Sequence, residues 1–175
     1  MAMKQHIALA VAAVLLPGLA KGAYEFSDRA SGLSITLPAD WECTTDIVKE
    51  NTGVFEFSGM GLGVVLQYDV GRNWQSSQQR AEYIIDKAKS TMDNLQVISE
   101  DSLVLWGLPA HEIVYRASFQ KTNRIARVIS VVSKTASLSI IFVRENADEW
   151  QSGDQKVMQS FLKGVSFAPP GDQSK

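Results

Sequence analysis

The sequence predicts an α+β fold in which helices cover both faces of an antiparallel sheet, an α/β/α sandwich. Three observations carry that expectation. Apolar residues alternate with period two in several short segments. Two other segments set apolar residues three and four apart behind capping signals. Segments 125–132 and 138–143 are apolar on both faces, and strands of that kind need cover on both sides.

Along the chain, Leu33, Ile35 and Leu37 alternate with Ser34 and Thr36 and read as a half-buried strand closed by Pro38. Segments 54–57 and 63–68 follow as strands around the turn-forming Ser58-Gly59-Met60-Gly61. Ser76 with Gln79 forms a capping box. Ala81, Ile84, Ile85, Ala88 and Met92 then make the apolar stripe of a helix that ends at Asp93-Asn94. Segments 96–99 and 103–106 read as two short strands. A longer one starts near His111, with Ile113, Tyr115, Ala117 and Phe119 on one side and Glu112, Arg116 and Ser118 on the other. Residues 120–123 form a polar turn, and 133–136 join the two strands that are apolar on both faces. In the second of these, Leu138, Ile140 and Phe142 face one way, Ile141 and Val143 the other. A second capping box, Ser152 with Gln155, opens a helix with Val157, Met158, Phe161 and Leu162 as its stripe and Gly164 as its C-terminal cap. Val165-Ser166-Phe167 returns extended, and Pro169-Pro170 begins a polar tail.

A chain of 175 residues, 45% hydrophobic and 21% charged, has a globular composition and the length of one domain. Lys4 precedes a charge-free run over 7–16 that Pro17-Gly18 breaks, the pattern of a secretory signal. The run is shorter than the roughly 20 residues a membrane-spanning helix needs. Small residues at Gly18 and Ala20 put cleavage after Ala20; cleavage near Ala23 is the alternative, with Lys21 at −3. The expected organisation is a signal over 1–20, one domain over 21–168 and a polar tail over 169–175. The expected location is the periplasm, or outside the cell in a single-membrane organism, with no membrane anchor after processing. Removing residues 1–20 takes Lys4 and no acid, so the net charge moves from −2 to −3. Nucleic-acid binding needs a concentrated basic surface, and this balance offers none. Cys43 is the sole cysteine, so no intramolecular disulfide forms, and it reads as a small core residue.

The chemistry-bearing residues do not assemble into a catalytic pattern. His111 is the one histidine after the signal and reads as partly buried and structural; no G-x-S-x-G elbow accompanies it. Gly59-Met60-Gly61-Leu62-Gly63 lacks the Lys-Ser/Thr of a phosphate loop and reads as a hairpin turn, with Met60 as a candidate contact residue. Glu145, Asp148 and Glu149 read as acids favouring the positive end of the last helix. Arg116, Lys121, Arg124 and Arg127 gather around one turn and offer a positive rim to an acidic partner. Trp74, beside Arg72 and Asn73, is the aromatic expected at a binding surface, because exposed Trp and Arg are enriched at interface hot spots. Trp41, Trp106 and Trp150 read as structural.

Gly32 to Trp41 carries Gly-x-x-Ile-x-x-Pro-x-x-Trp, which resembles the opening of PsbP-like domains. Trp106-Gly107-Leu108-Pro109-Ala110-His111 resembles their turn into a long strand, and the closing helix with Val165-Ser166-Phe167 resembles their ending. The chain resembles this PsbP-like and Mog-type superfamily over most of its mature length, and among its branches the bacterial DcrB-like exported envelope proteins. The resemblance implies the α/β/α sandwich and a non-enzymatic role in binding another protein. The expected function is therefore an accessory or inhibitory, immunity-type partner of another envelope or secreted protein, without a cofactor or metal. A small-molecule binder using a cleft between sheet and helix is the second expectation, and a hydrolase the third.

Overall fold

The computed structural model describes residues 23–171. The expected signal over 1–20 and the end of the polar tail lie outside the described residues. The elements are β1 (Tyr24–Asp28), β2 (Leu33–Leu37), β3 (Glu42–Lys49), β4 (Thr52–Gly59), β5 (Leu62–Val70), α1 (Ser77–Lys89), β6 (Asp93–Leu105), β7 (Leu108–Phe119), β8 (Thr122–Val132), β9 (Ala136–Glu145), α2 (Asp154–Lys163) and β10 (Val165–Phe167). They form a seven-stranded sheet ordered β3-β4-β5-β9-β8-β7-β6 and a three-stranded sheet ordered β1-β2-β10. The strand pairings are antiparallel in both sheets.

Period-two alternation on the central strands builds two cores. Leu138, Ile140 and Phe142 of β9 join Val64 and Leu66 of β5 and Phe55 and Phe57 of β4 on one face. Ile141 and Val143 join Val65, Val128 and Ile113 on the other. The second core is closed by Ala81, Ile84, Ile85 and Ala88 of α1, the stripe read from the sequence. The first is shared by α2, through Met158 and Phe161, with Leu33, Ile35 and Leu37 of β2 and Val165 and Phe167 of β10. The expectation of helical cover thus meets, on this face, a small sheet flanking a helix. The Phe161 ring lies edge-on to Trp41 at 4.9 Å and to Phe57 at 5.5 Å.

Several local expectations are corrected. β1 and β3 were not expected, since β3 is Glu42-Cys43-Thr44-Thr45-Asp46 before its first aliphatic residue and is exposed along most of its length. The two short strands expected at 96–99 and 103–106 are one strand, β6, whose register slips twice, between Asp93 and Gln96 and between Val97 and Ser99. Those irregularities break the alternation that would mark it as continuous. Asp93-Asn94 does not end the first helix; Ser90 caps α1, and Asp93 already pairs with Ser118. At the N-terminus Ser76 Oγ accepts from the Gln79 N–H at 3.1 Å, as the capping box requires. The second box does not form. Gly153 precedes α2 without a side-chain cap, and Asp154 instead accepts from the Gln151 N–H at 2.7 Å while pairing with Arg144. The polar turn after β7 is the residue pair Gln120-Lys121, both at positive φ, the pattern of a tight primed hairpin turn.

Chain order explains the layout. From β5, near the middle of the large sheet, the chain crosses one face as α1 and reaches the far edge as β6. It then returns by hairpins until β9 pairs with β5. β6 therefore ends as the outermost strand, and the N-terminus of α1 rests over the ends of β7 and β8. Ser77 fastens it there: its hydroxyl donates to Pro109 O at 2.8 Å and accepts from the Val132 N–H at 3.0 Å.

Candidate functional site

Beneath α1 the apolar sheet gives way to a polar row. Register aligns His111 of β7 with Ser130 of β8, Ser130 with Ser139 of β9, and Ser139 with Gln67 of β5. Ser130 and Ser139 share a hydrogen bond of 2.8 Å, and both are fully buried. Arg80 of α1, 3% exposed, enters this row. Its Nε donates to Ser139 Oγ at 2.7 Å, one terminal nitrogen donates to Gln67 O at 3.1 Å, and the other pairs with Asp69. Asp69 also accepts from Ser137 Oγ at 2.9 Å and from Trp74 Nε1 at 3.2 Å. Burial pushes the Arg80 guanidinium below its ordinary value, and the Asp69 charge opposes that shift.

Trp74 roofs the network and stands at the lip of a cleft of about 690 Å³. The cleft lies between the start of α1, the end of β8 and the β6–β7 hairpin, with Leu103, Leu108 and Val132 as apolar lining. Arg72 stacks on the Trp74 ring at 4.5 Å and on Tyr83 at 5.2 Å. His111, 6% exposed, lines the cleft and bonds through Nε2 to Glu100 Oε1 at 2.7 Å. It is buried on the side of Ile113 and Tyr115, as its strand position predicts.

The four basic residues around the β7–β8 turn are divided by the sheet. Arg116 and Arg127 lie on the side of α2. Arg127 reaches Glu112 at 3.5 Å, Gln155 Oε1 at 3.0 Å and the Trp150 ring at 5.9 Å. Arg116 sits 3.8 Å from Glu149. Arg124 lies on the side of α1, only 6% exposed, paired with Glu145 at 2.6 Å and set over the Phe119 ring at 4.8 Å. Lys121 is exposed at the turn itself. Met60 is exposed at the β4–β5 turn, on the same end of the sheet as the arginines, whereas Trp74 stands at the opposite end. Among the described residues, the buried Nε atoms of Arg116 and Arg124 and Nε1 of Trp150 make no hydrogen bond, and Arg127 Nε has its 3.5 Å ion pair with Glu112.

The acids expected at the helix start are engaged elsewhere. Glu145 and Glu149 face Arg124 and Arg116, and Asp148 accepts from Asn123 at 3.2 Å. Asp154 is the acid in the first turn of α2. Cys43 lies half-buried at the bulge of β3, and burial pushes its thiol up, away from the reactive thiolate. Among the described residues no cluster of three His, Cys, Asp or Glu side chains is placed to hold a metal, and no helix is long and apolar enough to cross a membrane. The Arg80–Asp69 network was missed in the sequence. Its signal was there: Arg80 and Ser77 stand four residues before Ile84 and Ala81, on the apolar stripe.

A long antiparallel sheet with one crossover helix, a closing helix and a short return strand defines a PsbP/Mog-like fold. Similar solved structures are the cyanobacterial PsbP protein CyanoP of Synechocystis sp. PCC 6803, the Ran-binding protein Mog1p of Saccharomyces cerevisiae, and LpqN of Mycobacterium tuberculosis, described as involved in cell envelope biogenesis. CyanoP aligns at TM-score 0.57 and 11% identity over 89% of this chain and 99% of its own. Mog1p aligns at 0.54 and 8% over 86% and 97%. LpqN aligns at 0.52 and 13% over 84% and 91%. No protein-family model and no curated protein matches the sequence.

Proposed function

We propose that the chain is an exported, non-enzymatic protein-binding module, an accessory or inhibitory partner of another envelope protein, allied to the DcrB-like branch. In this reading residues 1–20 are a secretory signal and 21–168 the working domain in the periplasm. The observation that carries it is the surface beside α2, where Arg116, its side chain 42% exposed, stands 3.8 Å from Glu149 and Arg127 lies 5.9 Å from the Trp150 ring. A partner with carboxylate groups suits such a surface, since Arg and Trp are among the residues that dominate interface energetics. The Ran binding of Mog1p and the envelope role of LpqN support the class of function without supplying a partner.

Crosslinking of the tagged protein in its native envelope tests the reading. One saturable partner is expected, lost when Arg116 and Arg127 are both changed to alanine. Capture that survives this change removes the surface beside α2 from the reading. Turnover of a substrate by the purified chain, abolished by one polar substitution, removes the module itself.

The cleft at the start of α1 favours a second reading, a small-molecule binder. Its volume falls in the range of ligand pockets, roughly 300–1,000 Å³, and it joins apolar walls to Trp74 and His111. Thermal shifts across a metabolite panel test it: a saturable ligand raises the melting temperature by mass action, and the rise should vanish in Trp74→Ala.

A further inference from the structure

The two ends of the large sheet are not equally guarded. An edge strand offers unpaired N–H and C=O groups, and proteins block such edges with bulges, lysines, prolines or covering segments. At β3 the guards are a bulge between Cys43 and Thr45, Lys49, and a hydrogen bond of 2.7 Å that the Tyr24 hydroxyl donates to Asp46. β6 differs. Its register irregularities are confined to the first half, and residues 99–105 pair regularly with β7. The strand contains no Lys, Arg or Pro, and its side chains are exposed almost throughout. Val104 is 72% exposed, and Val97 and Ile98 are about half exposed.

The charged residues of the strand itself are all acidic, and Glu100 bonds to His111 at 2.7 Å. Asp93, Glu100 and Asp101 lie on β6, and Asp101 stands directly across from Glu112 of β7. Like charges placed opposite one another destabilise a sheet. Burial together with the Asp101 charge pushes the Glu112 carboxyl up, against the pull of Arg127. Arg127 lies 3.5 Å from Glu112, and a cation placed beside Asp101 would offset the repulsion between the two facing carboxylates. Val104 is three residues further on, so it points to the opposite face of the strand.

We propose that β6 is a docking edge for an extended basic segment of a partner protein, which adds as an eighth strand along residues 99–105 with a cationic side chain beside Asp101 and an apolar one beside Val104. This rests on the protein-binding reading and adds a second contact surface to it. A second copy of this chain is the wrong occupant. Antiparallel pairing centred on Ser102 would set the Glu100–Asp101 pairs of two copies within a few residues of each other, with no lysine or arginine on either strand to separate them.

Three synthetic nine-residue peptides test the proposal by amide hydrogen exchange on the purified chain: alternating Val and Lys, alternating Val and Glu, and the Val/Lys peptide N-methylated at alternate backbone amides. The Val/Lys peptide should slow exchange at amides within 99–105. It should bind roughly tenfold more tightly than the Val/Glu peptide, a factor worth about 1.4 kcal/mol. N-methylation keeps the charge and removes the pairing donors, so it should abolish the protection. Asp101→Lys should narrow or invert the preference between the two charged peptides. Protection that survives N-methylation, or that maps away from β6, overturns the proposal, as does the absence of any protection. If the peptides fail while the envelope partner is still captured, the edge proposal falls and the module stands. If they succeed while no partner is captured, the edge is competent and the envelope-partner reading falls.

Discussion

Removing the Asp69 carboxylate should cost more than the hydrogen bonds it makes, because it strands a charge. Arg80 is 3% exposed and faces Asp69, Ser139 Oγ and Gln67 O. With Asp69→Ala the guanidinium keeps two neutral acceptors and loses its counter-charge, and Ser137 and Trp74 lose their acceptor as well. Breaking one side of a buried ion pair costs about 3–5 kcal/mol, a large share of the roughly 5–15 kcal/mol that holds a domain folded. At a urea dependence of about 2 kcal/mol per molar, the unfolding midpoint should fall by about 1.5–2.5 M. The informative variant is the double substitution, Asp69→Ala with Arg80→Met. It removes the stranded charge along with the carboxylate and should be more stable than Asp69→Ala alone. Equilibrium urea unfolding followed by tryptophan fluorescence reads both. A loss below about 1 kcal/mol for the single change, or a double variant weaker by the sum of its parts, would refute the account of Arg80 as a desolvated, compensated charge.

Three further outcomes follow from local geometry. Ser77→Ala leaves Pro109 O and the Val132 N–H without their partner, so thermal unfolding should show a loss of about 1–3 kcal/mol, with exchange at Val132 accelerated. Gly107 and Gly32 both sit at positive φ, but a Cβ on Gly107 meets nothing within 4 Å while one on Gly32 would lie 2.2 Å from Ala168 O. Gly107→Ala should therefore cost about 1–2 kcal/mol for the backbone alone, and Gly32→Ala clearly more in the same melts. Burial raises the Tyr115 hydroxyl from 10.0 to about 12. The unfolded chain releases this proton first, so the stabilising contribution is complete below pH 10 and declines as pH rises through 12. Alkaline unfolding should show it, a decline of roughly 2–3 kcal/mol, and Tyr115→Phe should remove it.

How much of this was legible depended on whether one face of an element was buried. The β2, β5, β7, β8 and β9 strands announced themselves because two faces of different polarity, or two apolar faces, leave a clear period in the sequence. β3 and β6 did not. Each is an edge strand with most of its length in solvent, so no apolar rhythm is imposed, and the bulges of β6 shift what rhythm there is. β1 is five residues of which Tyr24 and Phe26 alone face the core, too few to distinguish a strand from a loop. Charge clusters were misread for a related reason. Arg124 and Arg127 are three residues apart, and on a strand an odd spacing means opposite faces. One therefore lies buried against Phe119 on the α1 side and the other beside Trp150 on the α2 side. Sequence proximity suggested a single rim where the pleat makes two separate contacts.

The same geometry bears on where the proposed binding would take place. Both broad faces of the central strands β5, β9 and β8 are closed by packed side chains, and opening either would sacrifice a core. The serine row and Arg80 bring polarity into one of these cores, but each member is bonded to another, so the network holds α1 in place and offers nothing to a ligand. What remains accessible is the rim. The crossover through α1 generates one part of it: it carries the chain to the far edge, leaves β6 outermost, and sets the cleft between the helix start and the β6–β7 hairpin. Ser102 and Leu103 line that cleft and also belong to the regular stretch of β6. A strand added to β6 would therefore run past the mouth of the cleft, and a side chain reaching from it could fill the space beside Trp74. An extended segment with one long apolar residue uses both features at once, whereas a small molecule in the cleft uses only one. That economy favours the proposed protein partner over a free ligand.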